Sequence, residues 1–161
     1  MKSIFLISGI FDSGKTSRMI EILNDLPKGK AEGFACVKIY NNQNDAVGYV
    51  MRRLSTNEDR TFIIDKKFYG DTFEHTFDYE RFVFSKSVLN YVSDVIENAM
   101  QDSNINSLFL DEIGKLELLD LGFSELLKKM IRSDKDLYLC VNERHIGEIS
   151  NKFGIKQYRC I

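Results

Sequence analysis

The chain has 161 residues, 43% of them hydrophobic, with 22 basic and 24 acidic side chains for a net charge of -2. This is enough for one buried core in a single domain spanning residues 1–161, and the even charge balance leaves no basic track for nucleic acid. No apolar run approaches the roughly 18–20 residues that cross a bilayer, and the N-terminus enters a strand with no leader-like region, so the expected protein is soluble, cytoplasmic and away from membranes. Cys36, Cys140 and Cys160 are far apart in apolar surroundings, and are expected to be buried free thiols rather than a disulfide framework or a metal pair.

In chain order, the apolar run Ile4 to Ile7 reads as a strand and leads into Gly9, four variable residues, Gly14, Lys15 and Thr16. This is G-x-x-x-x-G-K-[ST] between a strand and a helix, a phosphate-binding loop. Its glycines let successive backbone N–H groups point inward at phosphate oxygens, and the following helix adds its positive N-terminal end. Gly9, Ile10, Phe11, Asp12, Ser13, Gly14, Lys15, Thr16 and Ser17 are therefore the candidate nucleotide-binding residues. Lys15 would reach the β- and γ-phosphates, and Thr16 would place its hydroxyl on Mg²⁺.

Met19, Ile20, Ile22, Leu23 and Leu26 then form one helical face, stopped at Leu26-Pro27-Lys28-Gly29. Gly33 to Tyr40 and Ala46 to Arg53 read as strands joined by a polar turn, and Arg60 to Asp65 as a third, an antiparallel extension at one edge of a sheet. Lys66 to Arg81 mixes aromatic, charged and turn-forming residues without a clear period. It is expected as a loop of uncertain order, either a lid or a segment whose aromatics pack on the core.

From Ser85, an N-cap candidate, Val88, Tyr91, Val92, Val95, Ile96, Ala99 and Met100 fall on one helical face. Ser107 to Glu112 is a buried strand ending in two carboxylates. A helix follows with Phe123, Leu126, Leu127, Met130 and Ile131 on one face. Leu137 to Val141 is a strand ending in Asn142, Arg144 to Phe153 a short helix, and Lys156 to Cys160 a last strand. This alternation predicts a three-layer α/β fold, a mainly parallel sheet with helices on both faces and an antiparallel hairpin extension.

Ligands of such sheets lie beyond the carboxyl ends of the strands, where Asp111 and Glu112 would emerge. Asp111 would hold Mg²⁺, directly or through water, and Glu112 would act as general base on the attacking water. Asn142 would come out on the same edge, toward the γ-phosphate or the water, or would serve as a strand-end turn residue. The transferring group needs further positive charge, for which Arg18, Arg144, Arg52 and Arg53 are candidates; each has an ordinary surface role as its alternative. His75 and His145 lack metal-like spacing and are expected to be structural or superficial.

The run Asp111-Glu112-Ile113-Gly114-Lys115-Leu116-Glu117-Leu118 resembles the DEIG-[KP]-x-EL motif of the small stand-alone P-loop nucleoside-triphosphatases first described from thermophiles. Gly33-Phe34, Gly48 and the F-x-F-S run Phe82 to Ser85 resemble that family's pattern in the same order. The resemblance implies Mg²⁺-dependent hydrolysis of nucleoside triphosphates such as ATP and GTP to diphosphate and phosphate, with loose base preference. It carries over Gly9, Gly14, Lys15 and Thr16 to phosphate and metal, Asp111 and Glu112 to metal and water, and Gly114 and Glu117 to the shape of the loop after the strand. Phe11, Asp12 and Ser13 depart from the family's usual loop, where a carboxylate at Asp12 would oppose the triphosphate unless turned outward. Residues 57–81 match poorly. Two other readings stay open, a small-molecule or nucleotide kinase and a slow nucleotide-dependent switch or accessory subunit; a dedicated water-activating glutamate favours hydrolysis over the kinase. No periodic face demands a protein partner.

Overall fold

The computed structural model describes residues 1–10 and 14–161. In chain order the elements are β1 (Ile4–Gly9), α1 (Lys15–Asp25), β2 (Ala31–Tyr40), β3 (Ala46–Arg53), β4 (Asp59–Asp65), β5 (Thr76–Tyr79), β6 (Phe82–Ser85), α2 (Lys86–Gln101), β7 (Ser107–Ile113), α3 (Lys115–Leu118), α4 (Ser124–Arg132), β8 (Asp136–Asn142), α5 (Ile146–Phe153) and β9 (Arg159–Cys160). Among the described residues the strands form one sheet in the order β5-β6-β4-β3-β2-β7-β8-β1-β9. From β2 to β9 every pairing is parallel; from β2 to β5 every pairing is antiparallel.

Strands buried on both faces hold the centre. Leu108, Phe109 and Leu110 on β7 and Leu137, Leu139, Cys140 and Val141 on β8 are fully covered, as the continuous apolar runs of parallel strands require. Alternation sends neighbours to opposite faces. Ile7, Ala35 and Phe109 pack with Met19 of α1 on one face, whereas Leu6, Phe34 and Leu110 join Val92 and Ile96 of α2 and Leu127 and Met130 of α4 on the other. Phe109 stacks on Tyr138 with ring centroids 4.5 Å apart, and Phe5 covers the other side of Tyr138 at 4.7 Å. Ser85 caps α2, its Oγ accepting the Val88 N–H at 3.2 Å.

The expected fold class is observed, but the antiparallel extension is wider than a hairpin. The segment 66–81, expected as a loop of uncertain order, contains a 3-10 turn at Lys66–Phe68 and the strand β5, which pairs with β6 from Thr76↔Ser85 to Tyr79↔Phe82. Its order comes from Phe77 stacking on Phe84 at 4.7 Å. The last strand is shorter than expected, only Arg159–Cys160, and lies on the exposed edge beside Phe5 and Leu6. Cys160 is consequently exposed, unlike buried Cys36 and Cys140. The helix expected from Arg144 begins at Ile146, after a 3-10 turn at Glu143–His145. Among the described residues no helix is long and apolar enough to cross a membrane.

This topology gathers the site. β1, β7 and β8 run parallel and end at the same edge, with Gly9 directly beside Asn142 in register.

Candidate active site

Gly14 caps α1 in the left-handed conformation, φ 87°, and the helix starts at Lys15. The Lys15 ammonium folds back over the loop, donating to the Ile10 carbonyl at 2.8 Å and the Gly9 carbonyl at 3.4 Å. These are weak neutral acceptors compared with a phosphate, so the side chain can exchange them for a charged partner. Gly9, Ile10, Gly14, Lys15, Thr16 and Ser17 thus cluster at the edge where β1 ends. Phe11, Asp12 and Ser13, and with them the orientation of the Asp12 carboxylate, lie outside the described residues.

Asp111 is fully buried and its carboxyl is hydrogen-bonded on both oxygens. Its Oδ2 takes the Thr16 hydroxyl at 2.6 Å and the Cys36 N–H at 2.9 Å, and its Oδ1 takes the Glu112 N–H at 2.9 Å. Burial pushes the carboxyl pKa above its ordinary value, while these donors pull it back toward the charged form. The Thr16 and Asp111 oxygens are hard donors of the kind Mg²⁺ takes, and one or two protein oxygens suffice for an ion that keeps waters and phosphate oxygens around it. Among the described residues no group of three or more His, Cys, Asp or Glu side chains is assembled for another metal.

Glu112 is presented by an irregularity. The β7·β8 register shifts between Leu110 and Ile113, and Glu112 has φ 61°. A left-handed conformation costs an L-residue of this kind about 1–2 kcal/mol, and a bulge of this sort turns a side chain out of the strand's alternation. Asp111 holds the bulge from one side through the Glu112 N–H. From the other, Glu117 turns back to accept the Gly114 N–H at 2.9 Å and the Phe123 N–H at 3.3 Å. Glu117 is 2% exposed, and burial first, with the nearby Glu112 charge adding to it, raises its carboxyl pKa to about 8 against the pull of those two amides.

The phosphate-loop sequence motif, a buried aspartate joined to its threonine and a glutamate in left-handed backbone next in sequence thus meet at one edge of the sheet. A family model described as NTPase matches residues 4–160. The chain belongs to this NTPase family. Over 147 residues it is 26% identical to the nucleoside-triphosphatase THEP1 of Methanocaldococcus jannaschii, covering 91% of this chain and 82% of that protein. Its fold is that of a human cancer-related nucleoside triphosphatase (TM-score 0.70, 14% identity, all of this chain and 88% of that one). It is also that of THEP1 from Aquifex aeolicus (TM-score 0.61, 15% identity, all of this chain and 88% of that one).

The remaining candidates in this NTPase divide clearly. Asn142 lines a cavity of about 300 Å³ at the site, and its Oδ1 accepts the Arg144 N–H at 3.0 Å, so the turn role is present and the amide stays at the catalytic edge. Three of the four candidate arginines are paired away from the site. Arg52 forms a two-point pair with Asp59 at 2.8 and 2.9 Å, Arg53 holds buried Glu32 at 2.9 Å, and Arg18 pairs with Glu21 on the exposed side of α1. Arg144 is exposed, and none of these arginines lines either cavity at the phosphate loop. His75 is on the surface, as expected; His145 lines the cavity, its Nδ1 3.5 Å from Glu148. Sequence reasoning missed Lys38 and Tyr49. Both line a second cavity of about 340 Å³ together with Gly14, Lys15, Thr16 and Glu112. The available signal was the alternation Phe34, Cys36, Lys38 along β2.

Proposed function

We propose that this NTPase hydrolyses nucleoside triphosphates to diphosphate and phosphate in a Mg²⁺-dependent reaction, with loose preference among bases. The observation that carries the reading is Glu112, held on a strained bulge beside the Asp111–Thr16 pair and opening on the cavity it shares with Lys15. The loop from Gly9 to Ser17 binds the phosphates with backbone N–H groups. Lys15 moves its ammonium from the loop carbonyls to the β- and γ-phosphate oxygens. Thr16 Oγ1 and Asp111 would hold Mg²⁺, which supplies charge neutralisation of those oxygens when bound.

Glu112 takes a proton from water as the water oxygen attacks the γ-phosphorus, and the bond to the bridging oxygen breaks with its electron pair leaving on the diphosphate. Asn142 lies at the right edge to orient that water. A carboxylate committed to water works against a kinase, which must exclude water, and so favours hydrolysis over phosphoryl transfer to another acceptor.

The test is phosphate release from ATP, GTP, CTP and UTP with and without Mg²⁺, for wild type and Lys15→Ala. The expected result is Mg²⁺-dependent release from all four within about tenfold of one another, and loss of turnover in Lys15→Ala by about 10² or more. Negligible wild-type turnover without an added acceptor would contradict hydrolysis and favour the kinase or the switch.

A further inference from the structure

We propose that Lys38 is the built-in cation that meets the γ-phosphoryl group in the transition state. The inference rests on the hydrolytic reading above and supplies what that reading lacks. As the γ-phosphoryl group transfers, negative charge spreads over its three equatorial oxygens, and Lys15 covers only part of it. In many such enzymes an arginine completes the job. Here none of Arg18, Arg52, Arg53 and Arg144 lines either cavity at the site, whereas Lys38 lines the one that holds Lys15, Thr16 and Glu112.

Lys38 is in place by strand geometry. Phe34 and Cys36 of β2 lie on the sheet face covered by α2, so Lys38, two residues further, lies on the same face. The Cys36 N–H is 2.9 Å from Asp111 Oδ2, which puts Lys38 one pleat, about 6.6 Å, beyond the metal-binding carboxylate in the direction of the catalytic edge. There it lines the same cavity as Gly14, Lys15, Thr16 and Glu112. Tyr49 stands opposite it on β3 and borders the cavity too.

The strand order makes a clamp of the two lysines. With β7 between β2 and β8, and β8 between β7 and β1, Lys15 approaches from the β1 flank and Lys38 from the β2 flank, with Asp111 and Glu112 between them. Lys38 is half-buried, so its charge acts where water screens it less than at the surface. Lys115 lines the neighbouring cavity with Lys15 and Glu112, but its side chain is exposed on the rim, where water screens its charge more than at Lys38. Lys38 forms and breaks no covalent bond. It donates N–H to a γ-oxygen while water supplies the nucleophile and Glu112 takes the proton.

The experiment compares wild type, Lys38→Met, Lys38→Gln and Lys38→Arg in kcat and KM for phosphate release from ATP with Mg²⁺. It also measures their affinity for ADP alone and for ADP with aluminium fluoride, a mimic of the transferring phosphoryl group. In Lys38→Met the expected kcat falls by about 10²–10³ with KM and ADP affinity within about threefold of wild type, and aluminium fluoride no longer tightens ADP. Lys38→Arg recovers part of both. Lys38→Gln keeps a polar side chain at this half-buried position and carries the same expectations should the Met variant fail to fold. A kcat within about threefold of wild type in either neutral variant would overturn the proposal. So would a fallen kcat with aluminium fluoride still tightening ADP as in wild type, because Lys38 would then act on the protein rather than on the phosphoryl group. Wild-type protein that releases no phosphate would instead overturn the hydrolytic reading, whatever Lys38 does.

Discussion

At the residue scale, the chain behind Glu112 depends on a buried carboxylate that bonds only to backbone. Glu117 spends both oxygens on backbone, the N–H groups of Gly114 and Phe123, and so fixes the chain that follows Glu112. Gly122 makes room for it: its φ is 59°, and a Cβ there would sit 2.3 Å from Glu117 Oε2. Gly122→Ala is therefore expected to lower stability by about 1–3 kcal/mol through backbone strain and the displaced carboxylate, and to slow phosphate release by loosening the loop behind the bulge. Urea unfolding together with turnover checks it, and a variant as stable as wild type would contradict the account. Lys15 and Thr16 were picked out by the fixed spacing of the G-x-x-x-x-G-K-[ST] run, and Asp111 and Glu112 by their place at the end of an apolar strand; the fold brings Thr16 and Asp111 to 2.6 Å of each other. Lys38 was not picked out, since a lysine alternating with apolar residues reads as an ordinary solvated strand position. The left-handed backbone of Glu112 leaves no trace in residue identity at all.

Elements were legible in proportion to their length and period. α2 has a continuous apolar face over four turns and a serine where the cap belongs, and both are found. Ser85→Ala should cost about 1 kcal/mol, the usual worth of such a cap, read as a lower urea midpoint at unchanged slope; no change in midpoint would mean that the cap hydrogen bond contributes nothing. β5 was invisible because it is four residues long, with Phe77 and Tyr79 alternating against Thr76 and Asp78 inside a stretch crowded with charge. Its order is tertiary, supplied by Phe84 of the next strand. The single-turn helix α3 escaped for the same reason, having too few residues for a period and depending on Glu117 to hold its first turn. The bulge in β7 follows from this as well: a run of apolar residues ending in two acids predicts where a strand ends, not how its last residues are offset from their neighbour.

For the whole molecule, strand alternation with helices was enough to predict the layers, whereas the sheet order rests on contacts distant in sequence that no local pattern encodes. One global property follows from the buried Glu117. Its pKa is raised from 4.5 to about 8 in the folded chain, so the folded state holds a proton that the unfolded state releases. The stabilisation this represents is complete below about pH 4.5 and is lost as pH rises toward 8. Glu117→Gln cannot titrate. Its thermal midpoint should gain on wild type steadily between pH 5 and pH 8.5, and parallel pH profiles would show that the carboxyl is ionised throughout. Above this lies the claim that the molecule exists to present Glu112 to a water beside a bound triphosphate. The most direct measurement is Glu112→Gln, with nucleotide affinity and single-turnover phosphate release measured on the same preparation. The account predicts ATP binding within about threefold of wild type and release slowed by about 10² or more, the scale of a lost general base. A Glu112→Gln protein that binds ATP and releases phosphate at the wild-type rate would contradict it.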